Sequence, residues 1–150
     1  MIKLYVLPVL WAAISALGYA MMCGLRSKKL IYVSIGGAAS WLVYLLSMRT
    51  GLIEVLCYAV AAGVGTVYSE IMARVMKTPV TAFVIPVNVA LVPGAAMFYS
   101  LLALMQKDIE RFVDRGKYAL SVACAMALGI FVATMIFRLI KSAAEKRHVH

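Results

Sequence analysis

Long apolar runs alternate with short charged stretches along the chain. Five runs contain no charged residue, and they cover residues 4–25, 30–48, 55–69, 78–106 and 118–137. A helix needs about 20 apolar residues to cross a hydrocarbon core of about 30 Å. Lipid cannot satisfy the backbone groups of an open sheet, so such spans are helical. The pattern therefore predicts an all-α, polytopic integral membrane protein with about five transmembrane helices.

The predicted helices cover about residues 4–25, 30–48, 52–73, 78–106 and 118–138 of a single membrane domain, 1–150. The third run is short between Glu54 and Glu70, and it becomes long enough when both carboxylates lie near the interfaces. We accordingly expect Glu54 to be an interfacial charge. Small residues four apart allow helices to approach closely. Such pairs are Ala59 with Gly63, Ala61 with Gly65, and Gly36 with Ser40.

The composition agrees with burial in lipid. Of the 150 residues, 65% are hydrophobic and 14% are charged, whereas soluble domains contain about half apolar and about a quarter charged residues. The net charge of +9 could indicate a nucleic-acid partner. Its basic residues, however, form short clusters between apolar runs, which is typical of loops that face anionic lipid. We therefore expect the lipid bilayer, and no nucleic acid, as a partner.

The distribution of positive charge predicts an orientation. Five crossings place the two ends on opposite sides of the membrane. One side then carries six basic residues and the other nine, and the side with more Lys and Arg is normally cytoplasmic. We therefore predict the cytoplasmic (inner) membrane, with the N-terminus out and the C-terminus in. The six are Lys3, Arg49, Lys107, Arg111, Arg115 and Lys117; the nine are Arg26, Lys28, Lys29, Arg74, Lys77, Arg138, Lys141, Lys146 and Arg147.

The fourth run contains the features that most favour a functional site. Pro79, Pro86 and Pro93 are spaced seven apart, which places them on one helix face, and each interior proline removes a backbone donor. Gly94 follows Pro93, and Asn88 adds an amide that donates and accepts hydrogen bonds. Many transporters present backbone groups to polar substrates at broken helices. The alternative is a kinked helix that only packs, because proline is common in transmembrane helices.

Glu70 is the candidate for coupling transport to protons, since an intramembrane carboxylate is by default a proton or substrate site. Arg74 lies four residues later, however, and residues at this spacing share a helix face. The sequence slightly favours a plain Glu70–Arg74 ion pair over a proton site.

The sequence gives little support for an enzymatic site or a metal site. There is no GxSxG, P-loop or HExxH motif, and both histidines, His148 and His150, lie in the tail. The cysteines, Cys23, Cys57 and Cys124, lie in or beside apolar runs, so we interpret them as small buried hydrophobic residues. We expect no enzyme activity, no cofactor and no metal.

Residues 77–99, KTPVTAFVIPVNVALVPGAAMFY, resemble the signature of the threonine/serine exporter family, in particular of its C-terminal half. Pro79, Pro86, Leu-Val-Pro-Gly at 91–94 and Tyr99 match that pattern. Val87 stands where the family usually has Gly, and Ala90 stands where it usually has Pro. The likeness also includes Gly-Tyr-Ala-Met at 18–21 and the glycines of the second helix.

The resemblance implies that the chain is the second of two membrane modules, encoded alone, with a larger membrane subunit supplying the first. It implies a two-component exporter of small polar metabolites, threonine and serine or small dicarboxylates, driven by the proton gradient. Pro86, Asn88, Pro93, Gly94 and Tyr99 are then the expected substrate-binding residues. Two alternatives remain: an accessory scaffold subunit without transport activity, and a small multidrug-type efflux protein. The uncharged first run disfavours the latter, which carries a carboxylate there.

Overall fold

The computed structural model describes residues 2–26 and 28–147, and within them the side chains of residues 6–26 and 28–140. This part of the chain forms six α-helices and one 3₁₀ turn, without a strand. The helices are α1 (Ile2–Met22), α2 (Lys28–Arg49), α3 (Glu54–Val75), α4 (Thr81–Asn88), α5 (Gly94–Met105) and α6 (Ile109–Arg147), and the 3₁₀ turn is Val89–Leu91. The predicted all-α class is confirmed.

Several predicted features fall outside these residues. His148 and His150 lie beyond the described chain, and the side chains of Lys3, Lys141, Lys146 and Arg147 lie outside the described side chains.

Three helices are long and apolar enough to cross a membrane: α2, α3 and the Ile109–Ile140 part of α6. α4 with the 3₁₀ turn and α5 passes the same test as a pair bent by 61°, which gives four spans when the pair is one. The apolar part of α1, Val6–Met22, is shorter. By length and composition, the described residues thus contain three or four candidate spans, and the predicted number of five is not confirmed.

The fourth run is divided by Pro93. Steric conflict with a proline ring pushes the preceding residue into extended backbone, and Val92 has φ −61° and ψ 129°. Pro93 itself has φ −76° and ψ 56°, and the Gly94 N–H donates to the Val92 carbonyl at 2.7 Å, which is an inverse γ-turn. Pro86 lies inside α4 without ending it, and Pro79 precedes α4. Only one of the three prolines therefore breaks the helix.

α6 begins nine residues before the predicted start at residue 118. Asp108 caps it: its Oδ1 accepts the Arg111 N–H at 3.1 Å, and its carbonyl accepts the Phe112 N–H at 3.1 Å. A side-chain oxygen at this position satisfies a donor that the first helical turn leaves free. The charged stretch of residues 109–117 is therefore helical, and the connection from α5 is short.

α3 lies at the centre and packs against α2, α4 and α6, while α1 packs against α2 and α4. α3 and α6 run in the same direction. Tyr118 of α6 contacts Glu54 at the start of α3, and Phe137 of α6 lies 4.9 Å from the Arg74 guanidinium near its end. The chain between the two helices must therefore return along the length of α3, and α4 begins that return.

Glycines set the closest helix contacts. A Cβ on Gly129 of α6 would overlap the backbone of Ala59 in α3, and one on Gly63 would lie 3.4 Å from the Gly129 carbonyl oxygen. A Cβ on Gly36 of α2 would lie 2.6 Å from the Tyr68 ring of α3. The predicted small-residue pairs on the second and third helices thus face neighbouring helices, as close approach of backbones requires.

The three cysteines are free and differ in burial. Cys57 is buried, as predicted, whereas Cys23 and Cys124 are exposed. For those two residues the prediction of burial was wrong: the apolar runs that hold them present that face to the surroundings and not to another helix.

Candidate functional site

The end of α4 positions an amide inside the helix bundle. Pro86, Val87 and Asn88 are all buried, and Asn88 is 4% exposed. The Asn88 Nδ2 donates to the Val84 carbonyl at 3.0 Å. Its Oδ1 is buried and has no hydrogen-bond partner within the described part of the chain. The amide therefore uses its donor on its own helix and keeps an acceptor available.

Ser40 of α2 and Gly65 of α3 face this amide. A Cβ on Gly65 would lie 2.7 Å from Asn88 Oδ1 and would collide with Ser40 Oγ. Asn88 Oδ1 and Ser40 Oγ both lie within 3.0 Å of this Cβ position, so the two oxygens are at most about 6 Å apart. Ser40 is 1% exposed, and its Oγ also lacks a partner among the described residues. We call Ser40, Gly65 and Asn88 the polar site.

Other buried hydroxyls nearby do not share this property. Thr66 Oγ1 donates to the Ala62 carbonyl at 2.8 Å, and Ser69 Oγ donates to the Gly65 carbonyl at 2.7 Å. Both bonds stay within α3. An unsatisfied buried polar atom costs about 1–3 kcal/mol, so the two unpartnered oxygens distinguish the polar site from these neighbouring hydroxyls and favour a ligand or water there.

A cavity of about 550 Å³ lies beside the helix break. Val89 and Ala90, which follow Asn88 directly, form one wall. Trp11 and Ser15 of α1 and Trp41 of α2 form the others, together with Leu7, Pro8 and Ala12. The Trp41 Nε1 is buried, and no acceptor for it lies in the described chain. The cavity is mostly apolar, with a few polar groups at its edge, as small-molecule sites usually are.

Glu70 forms the ion pair that its spacing predicts. Its Oε2 lies 3.3 Å from Arg74 Nη2. The Glu70 side chain is 9% exposed and the Arg74 side chain 51%, and Arg74 also lies over the Phe137 ring of α6. The carboxylate is therefore buried beside its own positive partner.

Glu54 has closer partners than an interfacial charge would have. Tyr118 of α6 donates to its Oε1 at 2.6 Å, and Tyr44 of α2 donates to the same oxygen at 3.3 Å. Tyr58, one turn further along α3, packs against Tyr44 with ring centroids 4.5 Å apart and the ring planes tilted by 37°. The expectation of a plain interfacial charge was therefore incomplete: the carboxylate joins three helices.

The family model described as Threonine/Serine exporter, ThrE, matches residues 8–136. This is most of the chain. The chain belongs to the threonine/serine exporter family. No curated protein and no solved structure matches it.

Membership of this exporter family supports transport of small amino acids across a membrane, and with the apolar helices it indicates a multi-pass membrane protein. A transporter family also suggests that the chain is not an enzyme. Among the residues that the structure describes, no group of three His, Cys, Asp or Glu side chains is placed to hold a metal ion.

The exporter signature is divided between two places in the fold. Pro86 and Asn88 lie in α4 within the bundle, and Pro93 and Gly94 form the break. Tyr99 lies on α5, is 54% exposed, and lines a separate cavity of about 380 Å³ with Arg111 and Arg115. Within the described chain α5 packs against α6 alone. The structure thus brings Asn88 near Ser40 and Gly65 and leaves Tyr99 apart from them.

Sequence reasoning missed Ser40 as a site residue and missed the partners of Glu54. Ser40 was noted only as one of a pair of small residues. A signal existed for the second: Tyr44 lies in the last two turns of α2, and Tyr58 follows Glu54 by four residues on α3, so all three lie near the connection between these helices. No comparable signal links Tyr118 to them.

Proposed function

We propose that this chain is the small subunit of a two-component exporter that moves threonine and serine out of the cytoplasm. A larger membrane subunit supplies the first module. The match of residues 8–136 to the exporter family supports the transport activity. The resemblance of residues 77–99 to the family's C-terminal half supports the division into two components.

The polar site is the proposed substrate contact, and its two unpartnered oxygens are the observation that carries the proposal. Asn88 Oδ1 accepts a hydrogen bond from the ammonium or hydroxyl group of the amino acid, and Ser40 Oγ both donates and accepts. Gly65 leaves the space between them open. Since unpaired buried polar atoms are costly, a polar substrate that supplies the partners gains affinity from their pairing.

The break beside the site adds backbone groups. The first N–H groups of a helix have no partner within it, and α5 begins at Gly94, directly after the turn at Pro93. In transporters with broken helices, such N-termini point at anionic groups of the substrate. The carboxylate of the amino acid is the proposed counterpart, with Pro93 and Gly94 positioning the helix start.

We propose the inner membrane, with the N-terminus outside and the C-terminus in the cytoplasm. The excess of Lys and Arg on the connections assigned to the cytoplasm supports this orientation. The parallel direction of α3 and α6 supports a fourth segment that crosses the membrane once, through α4 and α5, instead of re-entering on the same side.

The test uses cells that lack their own exporters, are loaded with threonine- and serine-containing dipeptides, and release free amino acids. Strains express this chain alone, its larger partner alone, or both. Release only from the strain with both supports the two-component exporter. Equal release with the partner alone identifies this chain as a scaffold. No release from any strain, with both proteins in the membrane, overturns the amino-acid assignment, and dicarboxylates are the next substrates to measure.

Asn88→Leu tests the polar site in the same strain. One hydrogen bond to a charged group contributes about 1.5–3 kcal/mol, so we expect release to fall about tenfold or more at equal membrane abundance. Thr66→Val is the matched control, because Thr66 is buried nearby and bonds only to its own helix. Full release by the Asn88 variant removes this residue from the site.

A further inference from the structure

Glu54 lies at the meeting point of three helices. It begins α3, and the hydroxyl groups of Tyr118 and Tyr44 both donate to its Oε1, at 2.6 and 3.3 Å. An ionised carboxylate is a stronger acceptor than a neutral acid, and a negative charge is also favoured at a helix N-terminus. The two hydrogen bonds therefore hold α2 and α6 to the start of α3.

The tyrosines connect this carboxylate to the helix break. Tyr44 and Tyr58 belong to one buried cluster with Leu91, and Leu91 is the last residue of the 3₁₀ turn before the break. Tyr44 follows Ser40 of the polar site by four residues on α2, so both lie on the same helix face. The packing thus runs from Glu54 through two aromatic rings to the broken segment and the substrate contact.

We propose that Glu54 is the carboxylate that binds the coupling proton. Tyr118 and Tyr44 transmit the change in its charge to the broken helix through their hydrogen bonds and packing. The inference rests on the proposed exporter function and deepens it. In the proposed orientation the start of α3 lies at the outer face, where Glu54 takes up a proton from outside as substrate leaves.

Protonation changes the junction through its hydrogen bonds. The neutral acid has lost the charge that strengthens the bond from Tyr118, so α6 is held less tightly to α3. Tyr44 loses the same acceptor strength, and its ring is then free to shift against Tyr58 and Leu91. A proton that binds at Glu54 therefore alters the packing next to the break, which is the segment that the substrate must pass.

Glu54 meets a polar side chain from each of two neighbouring helices. These are Tyr44 on α2 and Tyr118 on α6, and Tyr58 follows Glu54 by four residues on α3. The charged residues next to these groups in sequence are Arg49, which ends α2, and Lys117, which precedes Tyr118 and is exposed. Glu70 differs, because it lies against Arg74; removing its charge would leave that cation without its acceptor.

The test separates proton coupling from substrate movement. Both subunits are reconstituted in vesicles, and two rates are measured: efflux of labelled threonine driven by a pH gradient, and exchange of labelled for unlabelled threonine without a gradient. For Glu54→Gln we expect gradient-driven efflux to fall about tenfold or more while exchange stays within about twofold, the pattern of a lost coupling step. Glu54→Asp keeps a carboxylate and retains part of the driven efflux.

Tyr118→Phe is a second test of the proposal, in which the Glu54 carboxylate is retained. The change removes one of the two hydroxyl groups that donate to Glu54, so we expect the pH midpoint of efflux to differ from that of the wild type. Tyr68→Phe is the matched control, because its hydroxyl donates to the Tyr32 carbonyl, away from Glu54; its midpoint stays unchanged.

The outcomes distinguish the two proposals. Wild-type vesicles without threonine exchange overturn the exporter function, and the role of Glu54 with it. Wild-type exchange together with full gradient-driven efflux in Glu54→Gln overturns only the role of Glu54. An unchanged pH midpoint in Tyr118→Phe also overturns the role of Glu54. This second measurement decides the question even when the Glu54 variant does not reach the membrane.

Discussion

Gly65 lies where a single methyl group would meet both Ser40 and Asn88. The three residues come from three different helices, α2, α3 and α4, and the absence of a side chain at Gly65 is what allows the two polar groups to share a space. The steric and the polar properties of the site are therefore tied to the same position.

We expect Gly65→Ala to destabilise the protein by about 1–3 kcal/mol, the usual cost of overpacking a closely packed core. The added Cβ would collide with Ser40 and lie 3.2 Å from Val87 Cγ1. Thermal unfolding in detergent measures the effect. Gly94→Ala is the control, since its Cβ would meet nothing within 4 Å. Equal melting temperatures for the two variants would contradict the described packing.

Ser40→Ala should separate stability from activity. The change removes a buried hydroxyl without a partner in the described chain, so we expect the melting temperature to stay the same or rise. We expect threonine efflux to fall, because the polar site loses one of its two free groups. A variant that melts at a clearly lower temperature would show that the hydroxyl stabilises the fold and is not reserved for substrate.

Pro93→Ala should straighten the broken segment. Without the proline ring, Val92 is no longer forced into extended backbone, and the 61° bend can relax toward a continuous helix. Spin labels at Thr81 and Leu104, in a background without the native cysteines, should then move further apart. Pro86→Ala serves for comparison, because α4 already continues through Pro86; a similar change in both variants would contradict the assignment of the break to Pro93.

Glu70→Gln tests the other buried carboxylate. Its charge is paired with Arg74 at 3.3 Å, so we expect lower membrane abundance or stability but an unchanged dependence of efflux on the pH gradient. The same vesicle assay measures it. Loss of the gradient dependence at normal abundance would transfer the coupling role from Glu54 to Glu70.

Local features of the sequence were sufficient for much of the fold. Hydropathy predicted the all-α class, the spacing of Glu70 and Arg74 predicted their ion pair, and a proline in the fourth run predicted a break. The cap at Asp108 is also local, but the charged residues after it favoured a loop over a helix. Helix type, breaks and pairs within one turn depend on neighbours in the chain, which the sequence displays directly.

The candidate site depended on contacts that the sequence does not display. Tyr118 and Glu54 are 64 residues apart, and Ser40 meets Asn88 only because α2 and α4 turn these faces toward α3. The rotation of each helix about its axis is set by packing, especially at the glycines, and several rotations suit the same apolar pattern. The position of Tyr99, outside the bundle, follows from the direction of α5 after the break and had no local signal.

The close contact of Gly129 with Ala59 is far along α6 from the first turn of that helix. Twenty residues of continuous helix separate Gly129 from Ile109, a length of about 30 Å at about 1.5 Å per residue. Pivoting α6 by about 5° at the glycine therefore displaces its first turn by about 2.6 Å at this length. Within the described chain α5 packs against α6 alone. A small tilt of α6 about Gly129 would therefore move the whole of α5.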